Sequence, residues 1–272
     1  MSRKANQRRV VIPPILAKRC PSPSLSRVVR SMMALMSTNS RAQGPQTLLI
    51  DADDTLWENN VYFERAIASF ISFLNHHEYS PEQVRAVLNE VERECIISHG
   101  YGLHSFAHAL AQTFERLAVE PLTPALRETI LGFTHAIAEH PMEIRPGVEP
   151  TLDYLAGRHC LVLMTKGDRK EQAGKVERSG LKRYFDAVEI VAEKDPAAYR
   201  NLVEKHGWPS LSTWMIGNSP KSDINPALAA GLNAVHVPHH ETWVLEHEDV
   251  VQPTPPSRLL VVESFAELKE HF

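Results

Sequence analysis

Cysteine is almost missing: Cys20, Cys95 and Cys160 are the only three in 272 residues. An odd, widely spaced set without a CxxC pair offers neither a disulfide framework nor a zinc or redox motif, and the expectation is a reducing, cytoplasmic compartment. No apolar stretch approaches the roughly 20 residues that a membrane-spanning helix needs, so no membrane partner is expected. Acidic residues are absent from the first 50 positions, where nine Lys or Arg stand. Removing those nine from the 29 Lys and Arg of the whole chain leaves 20 against 33 Asp and Glu. That balance makes a poor nucleic-acid binder and suits recruitment of a divalent cation. Metalloprotease chemistry lacks its HExxH pattern. His104 and His108 have i, i+4 spacing but no third ligand at a recognisable distance, which favours solvated histidines over zinc.

What is present begins with a basic head. Residues 1–44 are rich in Arg, Ser and Pro and lack the long apolar segment of a secretory signal. A transit-like peptide, a disordered tail, and an upstream extension of a start at Met32, Met33 or Met36 all fit this composition. Four prolines among the first 23 residues break a continuous amphipathic helix and favour the last two. Beyond the head there is no low-complexity segment and no internal repeat. At 43% hydrophobic residues the chain can bury a full core in one or two domains.

Short apolar runs alternate with helical periodicity from about residue 145 onward, the pattern of a parallel sheet with crossover helices. The expected strands are TLLI (47–50), CLVLMT (160–165), AVEIVA (187–192), TWMIGN (213–218), NAVHVP (233–238) and RLLVVE (258–263). Helices are expected over 169–179, stopped by Gly180, around 199–206, over NPALAAG up to Gly231, and from Phe265 to the end. Residues 58–145 carry helical periods and no convincing strand. Ser80-Pro81-Glu82-Gln83 reads as a capping box with proline at the first helical position, and Thr123-Pro124 opens a further helix. A crossover needs only about 30 residues, so this stretch is an all-helical insert placed after the first strand.

In open α/β sheets ligands sit at the carboxyl ends of strands, and four such ends are polar here. Asp51, Asp53, Asp54 and Thr55 follow the first strand. Thr165, Lys166, Gly167 and Asp168 follow the second, Lys194 the third, and Gly217, Asn218, Ser219 and then Asp223 the fourth. Residues two apart on an extended segment face the same side, so Asp51 and Asp53 can face one small substrate. Clustered carboxylates repel one another, the more so when buried, unless a cation joins them. Mg2+ prefers hard oxygen ligands, and phosphoryl transfer needs a nucleophile, an acid/base and positive charge on the phosphoryl oxygens. Lys166 is a rival to Lys194 for the last role, but its place beside Thr165 on a regular strand points it away from the site.

These motifs resemble those of the haloacid dehalogenase-like (HAD) hydrolase superfamily over residues 46–272. The first motif, DxDxT, is matched by Asp51, Asp53 and Thr55, and the second by Thr165. Lys194 matches the third, and Gly217, Asn218 and Asp223 the fourth, with Asn218 neutral where the family usually has aspartate. The resemblance implies an α/β, Rossmann-like core with a parallel sheet flanked by helices, formed by 45–57 and 146–272, and a helical cap formed by 58–145. It further implies an Mg2+-dependent phosphatase acting on a small phosphorylated metabolite. Asp51 would be the nucleophile that becomes an aspartyl phosphate, and Asp53 the acid/base. Thr165 and Lys194 would bind the phosphoryl oxygens, and Asp223 would hold Mg2+ with Asp51, the backbone carbonyl of Asp53 and Asn218. Thr55, Trp57 and Lys166 are candidates for the rim. Trp57, Glu58, Asn59 and Asn60 are the cap-side residues placed by chain position to read substrate, and His239 and His240 stand at another strand end. A hydrolytic dehalogenase or a phosphomutase of the same fold, a receiver-type signalling domain, and a degenerate binding protein are the alternatives. Asp53 and Asp223 count against the first of these, and the large insert against the receiver.

Overall fold

The computed structural model describes residues 44–75 and 78–272. The basic head expected over 1–44 therefore lies outside the described residues, apart from Gly44. The strands are β1 (Thr47–Ile50), β2 (Cys160–Lys166), β3 (Ala187–Val191), β4 (Thr213–Gly217), β5 (Asn233–His236) and β6 (Leu259–Val261). They form one sheet in the order β3-β2-β1-β4-β5-β6, with every pairing parallel. β1 lies at the centre, and all four of its residues are buried, because helices cover both faces and leave no polar side to present. The side-chain alternation shows how the faces divide. Leu48, Ile50, Leu161, Leu163, Trp214 and Ile216 enter one hydrophobic cluster, while Leu49, Val162, Met164 and Met215 enter another on the opposite face.

The remaining elements pack on these faces: α5 (Val148–Ala156), α6 (Arg169–Ser179), α7 (Pro196–His206), a π-helical turn over Pro220–Ile224, α8 (Asn225–Ala229) and α9 (Leu268–His271). α7 begins three residues earlier than its apolar period suggests. Asp195 caps it by accepting from the Ala198 amide at 2.7 Å, and Pro196 takes the first turn, where a missing N–H costs nothing. The edge strand β6 is shorter than the RLLVVE run, and Phe265–Glu267 forms a 3-10 turn before α9.

Between β1 and α5 stand α1 (Asn60–Leu74), α2 (Pro81–His99), α3 (Leu103–Leu117) and α4 (Pro124–Glu139). They surround a hydrophobic cluster of their own built on Ile67, Phe70, Leu88, Phe106, Leu110, Phe114 and Ile130, each such side chain contributing about 1.5–3 kcal/mol when fully buried. Both halves of the capping box are made: Ser80 Oγ accepts from the Gln83 amide, and the Gln83 side chain accepts from the Ser80 amide at 2.8 Å. The two chain segments that join these helices to the sheet run side by side. Glu58 N–H donates to Glu143 O at 2.9 Å and Arg145 N–H to Leu56 O at 3.0 Å.

The chain passes from β1 to β2 and β3 on one side and then returns to place β4 on the other side of β1. β1 is thus the point where strand order reverses, the position where α/β sheets open a crevice. That topology brings the carboxyl ends of β1, β2 and β4 next to one another.

Candidate active site

Asp51 follows β1 directly, its amide held by Ile216 O of β4 at 2.9 Å. The carboxylate is buried and engaged on both oxygens: Lys194 Nζ donates to Oδ1 at 2.5 Å and Thr55 Oγ1 to Oδ2 at 2.8 Å. Lys194 reaches across from the end of β3, and its ammonium also donates to Asp223 Oδ1 at 2.7 Å. Asp223 is positioned by the Ser219 amide on Oδ2 at 3.0 Å. Its approach explains Gly217, because a Cβ there would lie 2.2 Å from Asp223 Oδ2. Two carboxylates thus share one buried ammonium. Burial first, then the charge of Asp223, lifts the Asp51 carboxyl to about 7 against the opposing pull of Lys194. Burial alone would lower the Lys194 ammonium, but the two aspartates outweigh it and raise it.

Asp53 lines the same chamber with a different set of partners. Trp57 Nε1 donates to Oδ1 at 2.7 Å, Gln172 Nε2 to Oδ2 at 3.1 Å, and Lys175 Nζ lies 3.1 and 3.0 Å from the two oxygens. Burial would raise this carboxyl, but the Lys175 charge and these hydrogen bonds outweigh it and hold it below the usual carboxylate range. Gln172 and Lys175 are three residues apart on α6 and so share a face. Neither was singled out in the sequence; the only available signal was their place on the first helix after Thr165. Thr165 Oγ1 donates to Gln172 Oε1 at 3.0 Å, so one amide links the threonine near the end of β2 to Asp53.

Each expected site residue can be placed. Asp51, Asp53, Thr165, Lys166, Lys194, Asn218 and Asp223 all line one cavity of about 160 Å3 between the strand ends and α1, α2 and α3. Asn218 accepts from Thr55 Oγ1 at 3.2 Å and donates from Nδ2 to Thr242 Oγ1 at 3.3 Å. Three expectations are corrected. Thr55 is not on the rim: it is fully buried, does not line the chamber, and donates to Asp51 Oδ2 from within the core. Lys166 does not point away: at the end of its strand its long side chain turns into the cleft, where Nζ donates to Glu246 Oε1 and Ser222 Oγ, each at 2.7 Å. Trp57 is not on the rim of this chamber. It is buried in the core and borders a neighbouring cavity, reaching the site only through its bond to Asp53. Asn59 and Asn60 do line the chamber, whereas Glu58 does not.

Glu246 and Tyr101 also escaped the sequence reading. Glu246 accepts from Lys166, Ser219 and Ser222. Tyr101, between α2 and α3, accepts from Lys166 Nζ at 3.2 Å and donates to Glu193 at 2.6 Å. Lys166 is therefore held by an acid of its own, apart from the Asp51 and Asp223 pair. His239 is buried with Nε2 3.0 Å from Glu58 Oε2, and its Nδ1 accepts from the Glu241 amide, a pattern that fixes the Nε2–H tautomer when the ring is neutral. Asp54, Glu58 and His239 have ligating atoms within 4.8 Å of one another. Two backbone amides already occupy the Asp54 carboxylate, and Arg145 lies 3.6 Å from Glu58.

No helix among the described residues is long and apolar enough to cross a membrane. Residues 45–231 match the family model described as haloacid dehalogenase-like hydrolase. The rat N-acylneuraminate-9-phosphatase is 23% identical over 236 residues, covering 82% of this chain and 92% of that protein. The Escherichia coli (strain K12) pyrimidine 5'-nucleotidase YjjG is 31% identical over 146 residues, 52% of this chain and 61% of its own. Among solved structures, a haloacid dehalogenase-like family hydrolase from Xanthomonas campestris superposes with a TM-score of 0.67 at 30% identity, covering 80% of this chain and 89% of its own.

Proposed function

Because the chain belongs to the haloacid dehalogenase-like hydrolase family, we propose that it is an Mg2+-dependent phosphomonoester hydrolase that acts through an aspartyl phosphate on a small phosphorylated metabolite. The observation that carries this reading is the shared ammonium: Lys194 bridges Asp51 and Asp223 in a buried site, with a third carboxylate, Asp53, on its own cation beside it. The four helices α1 to α4 act as a cap over the chamber.

The donor set fits a divalent cation. Asp51, Asp223 and the Asp53 carbonyl offer hard oxygens, and two acids on one ammonium leave an excess of negative charge that water cannot screen. Asp51, Asp223 and the Asp53 carbonyl would hold Mg2+, with Asn218 beside them, and the ion when bound would offset the charge of the phosphoryl group. Asp51 attacks phosphorus, and the ester oxygen departs with a proton from Asp53. A water molecule then attacks the phosphoryl group as Asp53 takes its proton, which returns Asp51 and releases phosphate. Lys194 and Thr165 donate to the phosphoryl oxygens. As base Asp53 is well prepared by Lys175, which keeps it ionised. As acid it must carry a proton, and a phosphate dianion bound nearby raises it in that direction.

Hydrolysis at carbon needs neither an acid two residues after the nucleophile nor a metal-holding aspartate, so Asp53 and Asp223 weigh against a dehalogenase. The test is turnover of p-nitrophenyl phosphate with Mg2+. Asp51→Asn should abolish it while leaving the circular dichroism spectrum unchanged, and near wild-type turnover in that variant would sink the assignment.

A further inference from the structure

Glu92 is a carboxyl that the machinery above does not use. It lies on α2, is only 6% exposed, and borders the same chamber as Asp51. Its Oε2 is sealed from solvent and has no hydrogen-bond partner. The nearby Arg85 does not serve it, because that guanidinium is taken by both oxygens of Glu64, at 2.5 and 2.7 Å, and by Asn89 at 2.9 Å. Leaving a buried polar group unpaired costs about 1–3 kcal/mol, and more for a charge. An apolar residue would avoid that cost at a position framed by apolar neighbours. Phe63 and Phe106, whose ring centroids stand 5.0 Å apart, line the chamber here with Ile96. Ser105, also buried, adds a hydroxyl to the same wall.

We propose that Glu92 is the residue that reads the leaving group, its carboxyl turning from the chamber wall to accept a hydrogen bond from a hydroxyl or N–H carried by the phosphorylated substrate. The inference rests on the phosphatase reading and narrows its substrate class to esters whose alcohol bears a donor beside C–H surface, such as phosphorylated polyols and amino alcohols. The aromatic and aliphatic frame covers the C–H faces, and the carboxyl supplies the acceptor that the frame lacks. Burial, opposed by Arg85 and reinforced by Glu64, lifts this carboxyl to about 7, so it meets a donor without the full cost of a fixed buried charge.

The test compares wild type, Glu92→Gln and Glu92→Met with Mg2+ on three esters: p-nitrophenyl phosphate, whose leaving group has no donor, a hexose 6-phosphate with hydroxyls, and phosphoethanolamine with an ammonium. The readout is kcat/KM for each donor-bearing ester divided by that for p-nitrophenyl phosphate. In Glu92→Met this ratio should fall by roughly 10- to 100-fold for whichever donor-bearing ester the wild type prefers, the scale of a hydrogen bond to a charged group. Glu92→Gln keeps an acceptor oxygen, so a hydroxyl-bearing ester should retain its ratio within about fivefold while an ammonium-bearing one loses it, which separates the two donors. A second measurement needs no variant: removing the donor from the preferred ester, by a deoxyhexose 6-phosphate series for the hexose ester or ethyl phosphate for phosphoethanolamine, should cost the wild type at least about tenfold in kcat/KM. Equal losses on all esters, or no loss on removing the donor from the preferred ester, overturn the assignment, as does hydrolysis of p-nitrophenyl phosphate without either donor-bearing ester. Failure to hydrolyse any ester, p-nitrophenyl phosphate included, overturns the phosphatase reading and this inference with it.

Discussion

Glu92 also predicts a pH dependence of stability that is independent of catalysis. In the unfolded chain its carboxyl titrates near the ordinary 4.5, while burial holds it at about 7 in the folded protein. An acid raised by folding binds its proton more tightly in the native state, so folded protein is favoured below 4.5. That advantage is lost as pH rises from 4.5 through 7, and above 7 the full penalty of the buried carboxylate remains. A shift from 4.5 to about 7 corresponds to an upper figure of about 3 kcal/mol at 1.36 kcal/mol per pH unit. Glu92→Gln removes the titration and keeps the shape. The difference in stability between variant and wild type should therefore move in the variant's favour by up to about 3 kcal/mol between pH 4.5 and pH 8. In thermal melts that is several degrees, at roughly 2–4 °C per kcal/mol for a protein of this size. Asp51 and Asp54, also lifted to about 7, give the same slope in both proteins and cancel in the difference. Urea melts of both at pH 4.5, 5.5, 6.5 and 7.5 provide the assay. Parallel curves would refute the reasoning and mean that the native structure gives the ionised carboxyl a partner or water.

Three further outcomes follow from the site. Asp53→Asn should lower kcat by about 10²- to 10⁴-fold, the usual worth of a general acid/base; a loss under about fivefold in steady-state kinetics would assign the proton to another group. Asn218→Asp adds a charge where the amide now accepts from Thr55 and donates to Thr242; those hydroxyls already donate to Asp51 and His239 O, so the added charge is left to answer the cation. The Mg2+ concentration for half-maximal activity should fall about tenfold if that charge contributes about 1.4 kcal/mol, whereas an unchanged or higher requirement in an Mg2+ titration would make Asn218 a structural member of the site. Gly217→Ala places a Cβ 2.2 Å from Asp223 Oδ2 and must displace that aspartate from Lys194, so kcat should fall by at least about 10²-fold, comparable to loss of a group that stabilises transition-state charge. Retained activity in that variant would show that Asp223 can shift without consequence.

Much of this molecule was legible in the chain itself. Six apolar runs gave six strands because a parallel sheet covered on both faces must be apolar along its whole length, as TLLI and CLVLMT are. Ser80-Pro81-Glu82-Gln83, Thr123-Pro124 and Gly180 marked helix ends by local chemistry that needs no distant partner. Asp51, Asp53, Thr165, Lys194 and Asp223 could be proposed as one site from their places at strand ends, because topology carries all strand ends of a parallel sheet to one side. The tertiary structure alone decided which charge answers which. Lys194 sits on Asp51 and Asp223, Lys166 on Glu246, and Lys175 on Asp53. These pairs join residues from 29 to 143 positions apart, and no periodicity encodes a contact of that kind. Strand alternation failed for Lys166 for the same reason: the strand fixes where the side chain starts, but β1 stops opposite Leu163 while β2 runs on beside β3 alone, and a long side chain at such an end follows the nearest buried acid. Glu92 was invisible as well, since an acid at a helical position reads as a solvated surface until neighbouring helices and a chamber wall close around it.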